Sequence, residues 1–140
     1  MKILAVLLGC LMSVSVLAQT VLFQTKNGEH TFSVEVADTL EKSARGLMYR
    51  HFLPEKSGMV FFDETPKVWY MWMKNTYIPL DMVFFDKKGK IVKIVQAIPL
   101  DLTTISSDIP VKGVIELNAG ICEKYHIRVG DTLKLNLDNP

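Results

Sequence analysis

Between positions 30 and 37 the chain alternates strictly: Phe32, Val34 and Val36 are apolar, while Thr31, Ser33 and Glu35 are polar. A period of two demands a strand with one buried and one wet face. Residues 21–25 read as a preceding strand, and Asn27-Gly28 supplies the positive φ angles of a tight hairpin turn. Further strands are expected at 58–62, 68–73, 82–85, 91–95, 113–117 and 133–137, with Asp86-Lys87-Lys88-Gly89 turning one hairpin. Two short helices are expected. The first covers 38–47, capped by Asp38 with Glu41 completing a capping box; Leu40, Ala44 and Leu47 fall on one face, and Gly46 suits its end. The second starts at an Asn118 cap and runs to about His126. Residues 98–110, with two prolines, read as a long loop. No strand–helix–strand rhythm repeats, so a doubly wound parallel sheet is not expected. The expected class is α+β and β-rich: a single domain whose mostly antiparallel sheet curls into a barrel-like shell, with two short helices at its openings.

The first eighteen residues read as a secretory signal. Lys2 gives the positive start, residues 3–17 the apolar stretch, and Val16-Leu17-Ala18 a cleavage site ahead of Gln19. An apolar stretch of this length falls short of the ~20 residues that span a bilayer. Leu7-Leu8-Gly9-Cys10 resembles a lipobox, and lipidation at Cys10 is the alternative, though Leu8 fits it poorly. The exported domain would then cover residues 19–140, and the expected location is periplasmic or extracellular. Loss of Lys2 leaves 15 of the 16 basic residues against 15 acidic ones, so neither nucleic acid nor an anionic membrane surface is an expected partner. No transmembrane segment is expected in this part. Of the two cysteines only Cys122 remains, so no internal disulfide can form and packing must hold the fold.

The densest concentration of large side chains is Trp69-Tyr70-Met71-Trp72-Met73, which breaks into Lys74-Asn75-Thr76 and restarts after Pro79 with Asp81. Such a ribbon can carry polar groups to the rim of a packed core. Alternating large residues favour a strand buried on both faces over a binding platform; exposure of either tryptophan would reverse that preference.

Four separated blocks carry a family resemblance. They are Ala37-Asp38-Thr39 with Arg45-Gly46-Leu47-Met48-Tyr49-Arg50, Gly58-Met59 and Phe61; Trp72-Met73-Lys74-Asn75-Thr76 with Ile78-Pro79-Leu80-Asp81; Glu116-Leu117-Asn118-Ala119-Gly120; and Val129-Gly130-Asp131. In order and spacing they resemble domain-of-unknown-function family 192, over about residues 21–137. The resemblance implies a compact β-rich fold, in a family whose members are often exported. Because the family has no assigned activity, no catalytic residue is carried over.

The candidate binding residues are Arg45, Trp72, Lys74, Asn75, Thr76, Asp81 and Glu116, with Arg50 nearby in sequence and Tyr70 or Tyr77 available for stacking. Two cations, an amide, a hydroxyl and a carboxylate beside aromatic rings could orient a small polar ligand, a glycan or a peptide end. The same set could instead be a structural network in which Arg45 pairs with a buried Asp81. Cys122 and His126, four apart on one helix, are too few for a metal site. Thr103, Thr104, Ser106, Ser107 and Asp108 lack the base and orienting group that a serine nucleophile needs. No catalytic residue is identifiable. No phosphate-binding loop, dinucleotide fingerprint or calcium loop appears, so no cofactor and no metal are expected.

Three functional readings follow. The leading one is an exported binding or accessory module for a small polar ligand or a cell-envelope component. The second is a cell-envelope hydrolase using Asp81 or Glu116, which would require two carboxylates about 5–9 Å apart in one cleft. The third is a structural interaction domain without a ligand.

Overall fold

A computed structural model describes residues 18–137. The expected signal and Cys10 lie outside these residues. Nine strands and two short helices follow in the order β1 (Thr20–Thr25), β2 (Gly28–Val36), α1 (Leu40–Arg45), β3 (Ser57–Lys67), β4 (Tyr70–Met71), β5 (Leu80–Phe85), β6 (Ile91–Ala97), β7 (Ile105–Ser106), β8 (Val111–Asn118), α2 (Ile121–Lys124) and β9 (Thr132–Asn136). Seven strands form one curled sheet in the order β6-β5-β8-β3-β2-β1-β9, a half-barrel. All neighbours are antiparallel except β2 and β3, which run parallel and are joined by the connection that contains α1. The outer edges meet where Lys90 bridges Thr132, and the Leu133 N–H donates to the Gly89 carbonyl at 2.7 Å.

The alternation of β2 positions the first core as expected. Phe32 and Val34 join Val21, Phe23, Val60, Val83, Ile115 and Leu117 on one face of the sheet. A second core covers the opposite face, where Met59, Phe61, Met82, Phe84 and Val114 pack beneath Leu47, Met73 and Ile78. The central strands β5, β8 and β3 are therefore buried on both sides, and their sequences show continuous apolar runs rather than alternation. Gly58 lies at this centre: a β-carbon there would stand 2.5 Å from the carbonyl oxygen of Glu116, so only glycine lets β3 approach β8 this closely.

Several elements differ from the sequence expectation. α1 is capped by Thr39, whose side chain accepts from the Lys42 N–H at 3.1 Å, while Asp38 pairs with the Lys42 ammonium. α1 contributes no buried residue: Leu40 is 92 % exposed, and only Leu47, beyond the helix, enters the core. The stretch 58–67 is one bulged strand rather than a strand and a turn, since Lys67 pairs with Val111 across an irregularity after Phe62. α2 ends at Lys124, and Asn118 does not cap it; its side-chain amide donates to the carbonyl of Leu53 at 2.8 Å, tying down the preceding loop. Exposed His126, at φ 55° beyond the helix, does not share a helical face with buried Cys122.

The aromatic ribbon departs furthest. Of the expected strand at 68–73, only Tyr70–Met71 is extended and paired, and its partner is β7 inside the long loop rather than the main sheet. The Trp69 N–H donates to Ser107 Oγ at 3.0 Å, the Ser107 N–H to the Trp69 carbonyl at 2.9 Å, and the Met73 N–H to the Asp101 carbonyl at 3.0 Å. The ribbon thus lies over the second core. It keeps a period of two, with Met71 and Met73 inward and Tyr70 and Trp72 outward. Trp72 is 49 % exposed, which overturns the expectation of burial on both faces and restores the platform reading.

Candidate functional site

Glu116 sits in the middle of β8, between Met59 of β3 and Met82 of β5 in register. Side chains directly opposite each other on neighbouring strands share a face. The Glu116 carboxyl therefore points into the second core, under the segment connecting α1 to β3 and under the aromatic ribbon. It is 5 % exposed, and among the described residues no donor bonds to either carboxyl oxygen. Burial without a cation raises its pKa to about 8, because the charged form has lost its water and gained no partner. At neutral pH this group is mostly a neutral acid, able both to donate and to accept a hydrogen bond.

A cavity of about 220 Å³ opens above it. Phe61 and Gly46 form its floor with Glu116, Tyr70, Trp72 and Thr76 form its walls, and Arg45 lies at its mouth. Gly46 is held at φ 50°, ψ −131°, a conformation that side chains disfavour. A β-carbon at this position would stand 3.3 Å from the Phe61 ring and 3.9 Å from Glu116 Oε2, inside the space beside the carboxyl. Thr76 is buried, and its hydroxyl donates to the Lys74 carbonyl at 3.0 Å, which fixes the tight turn that closes the ribbon.

Next in sequence to the lining residues Met48 and Thr76 stand two residues at positive φ. Tyr49 (φ 67°) and Asn75 (φ 52°) clasp each other: the Tyr49 N–H donates to the Asn75 carbonyl at 2.8 Å, and the Asn75 amide donates to the Tyr49 hydroxyl at 2.9 Å. Arg45 lies over the Tyr49 ring at 5.8 Å, and Lys74 lies over the Trp72 ring at 5.1 Å. Neither cation belongs to an ion pair among the described residues.

Of the residues singled out in the sequence, Arg45, Trp72, Thr76 and Glu116 come together around this cavity. Lys74 and Asn75 do not line it. Asp81 is elsewhere. It pairs in register with Leu117, one residue on from Glu116, so its side chain enters the first core on the opposite face of the sheet. There Asp81 Oδ2 accepts from the Cys122 N–H at 2.9 Å, serving the first turn of α2, whose cap residue Gly120 offers no side chain. The expected Arg45–Asp81 pair does not form, and Asp81 and Glu116 do not face one cleft. Burial pushes the Cys122 thiol up, and the neighbouring Asp81 adds to the effect. Arg50 is bound instead by Glu35 in a two-pronged ion pair. Ser107 is buried with its hydroxyl donated to the Ile109 carbonyl at 2.7 Å, which makes it a loop fastener. Gly46 and Phe61 stand in the quoted sequence blocks, yet only the fold shows that they form the floor.

The family model described as uncharacterized ACR, DUF192, matches residues 22–135. The chain belongs to the DUF192 family. Two crystal structures share this DUF192 fold. A protein from Sinorhizobium meliloti 1021, provisionally described as a transcription regulator, is 38 % identical, covers 88 % of this chain and 97 % of its own, and superposes with a TM-score of 0.81. A protein of unknown function from Novosphingobium aromaticivorans DSM 12444 is 34 % identical, with coverage of 86 % and 88 % and a TM-score of 0.79. No curated protein matches the chain. Among the described residues no helix is long and apolar enough to cross a membrane.

Proposed function

We propose that this DUF192 protein is an exported binding module whose cavity above Glu116 receives a small polar ligand. The observation that carries the reading is a carboxyl 5 % exposed, met by no donor among the described residues, and lining a cavity. A buried polar group without a partner costs on the order of 1–3 kcal/mol, more when charged, and a fold retains such a cost where a ligand supplies the missing partner. Exposed Tyr70 and Trp72 add apolar walls, in the usual combination of aromatic surface with a few fixed polar groups. At about 220 Å³ the cavity is smaller than the ~300 Å³ at the lower end of drug-sized sites, which suits a monomer or the end of a longer chain. Export rests on Lys2 and the apolar stretch that follows it.

A regulator that reads DNA finds little support in the charge balance, since basic and acidic residues nearly cancel over the whole chain, 16 against 15. A thermal-shift screen of the purified protein against amino acids, sugars, cell-wall fragments and short peptides tests the binding reading. Stabilisation that persists in Lys74→Ala and vanishes in Trp72→Ala is expected. Equal stabilisation of Trp72→Ala, or no stabilisation by any compound, would refute it.

A further inference from the structure

We propose that the ligand is a small zwitterion whose ammonium group sits on Glu116 and whose anionic end meets Arg45. This deepens the binding reading and rests on it. A guanidinium and a carboxyl border one cavity, yet they form no ion pair with each other within 4 Å. Arg45 is exposed at the end of α1 with its guanidinium over the Tyr49 ring, whereas Glu116 is buried in β8. A molecule carrying an ammonium and an anionic group can meet both residues.

Three rings, Phe61, Tyr70 and Trp72, line the same cavity. Aromatic faces are negative and attract an ammonium group, most strongly where water is excluded. Gly46 leaves open the space beside Glu116 Oε2 that any side chain would occupy. The residues facing Glu116 from the other packed elements are Met59 of β3, Met82 of β5 and Thr76 of the ribbon, none of which titrates. Arg45 and Tyr70 are the titratable groups lining the same cavity besides Glu116 itself. In the free protein Glu116 keeps its proton near neutral pH. On binding, the ammonium replaces that proton, the carboxylate forms a charge-assisted hydrogen bond, and the proton passes to the buffer.

A neutral ligand behaves differently. A hydroxyl would accept or donate a hydrogen bond with the carboxylic acid and leave its proton in place. Proton release therefore separates the two chemistries.

The test is isothermal titration of the purified protein with β-alanine and with ethanolamine phosphate, in two buffers of different ionisation enthalpy. With a Glu116 pKa of about 8, close to one proton (about 0.9) should leave per ligand bound at pH 7, falling to about 0.1 at pH 9. Glu116→Gln keeps the shape and loses the charge, and should weaken both ligands by roughly thirtyfold or more. Arg45→Gln should weaken β-alanine while leaving ethanolamine, which has no anionic end, unchanged. Cosedimentation with vesicles containing phosphatidylethanolamine, competed by ethanolamine phosphate, would make the zwitterion a lipid headgroup. Binding of the free compounds alone would make it a soluble molecule, and both results support the proposal. Trp72-dependent binding of neutral sugars without proton release, unchanged in Glu116→Gln, would overturn the zwitterion while leaving the binding module intact. No binding by any probe, neutral or charged, would overturn both.

Discussion

Replacing Glu116 by glutamine should make this protein more stable, by an amount that depends on pH. The folded carboxyl titrates at about 8 against 4.5 for the ordinary group. A carboxyl pKa raised on folding contributes stability fully below the unfolded value, and that contribution is lost as pH rises through the folded value. Between pH 4.5 and 8 the unfolded chain has released this proton while the folded chain still holds it. Wild-type stability should therefore fall relative to the variant by ~1.4 kcal/mol per pH unit. Over the whole window the loss approaches about 5 kcal/mol, the difference between 4.5 and about 8 converted at that rate. Glutamine fills the same volume, carries no titrating proton, and should abolish the slope. Other carboxyls act in a different range: Asp38, Glu55, Asp63 and Asp101 are held below their usual values by lysine partners or backbone donors, and their contributions vanish only at more acidic pH. Urea unfolding of both proteins at half-unit steps from pH 5 to 8 measures the difference directly. Parallel curves across that window would refute the reasoning, because they would mean that Glu116 ionises as freely in the fold as in the unfolded chain.

Three further substitutions separate the cavity from the framework. Asp81→Leu strands the Cys122 N–H at the start of α2 and should cost about 1–3 kcal/mol in denaturant unfolding, while leaving ligand stabilisation of the protein intact; an unchanged midpoint would refute the anchoring role. Trp72→Ala removes a side chain that is 49 % exposed and, with the other half of its surface packed, should cost about 1–2 kcal/mol; in the native protein, iodide should quench the Trp72 emission more strongly than that of the less exposed Trp69, and equal protection of both would contradict the platform. Gly46→Ala forces a side chain into φ 50° and against Phe61 at 3.3 Å, and should cost about 1–3 kcal/mol; a neutral result by thermal unfolding would show that the floor relaxes freely.

The fold was legible where one face of an element is wet or where a polar turn separates two apolar runs. The alternation of Phe32, Val34 and Val36 marks β2, and the apolar runs on either side of Asp86-Lys87-Lys88-Gly89 mark the β5–β6 hairpin. The central strands were legible as strands, but not in orientation. Asp81 and Glu116 stand in runs apolar on both sides, so periodicity gives neither its face, and their register places them on opposite sides of the sheet. The sequence therefore nominates two carboxylates and cannot choose between them. The ribbon misleads for a related reason. Its alternation is real, but β4 pairs with β7 within the connecting loops, and a strand lying over a core exposes the residues that a central strand would bury. Arg45, Trp72 and Thr76 were recognisable as polar or aromatic residues near breaks in the apolar pattern. The floor residue Gly46 reads in sequence only as a helix terminus, because what it vacates is visible only across the sheet.

The central claim is that Glu116 is a buried carboxyl awaiting a ligand. Carbon-13 NMR of the glutamate side-chain carboxyls, with Glu116 assigned by loss of its signal in Glu116→Gln, measures its titration in the folded protein. The account predicts a midpoint near 8 in the free protein, moving down when β-alanine saturates the cavity. A midpoint close to 4.5, the ordinary value for the group, unchanged by added ligand, would contradict it.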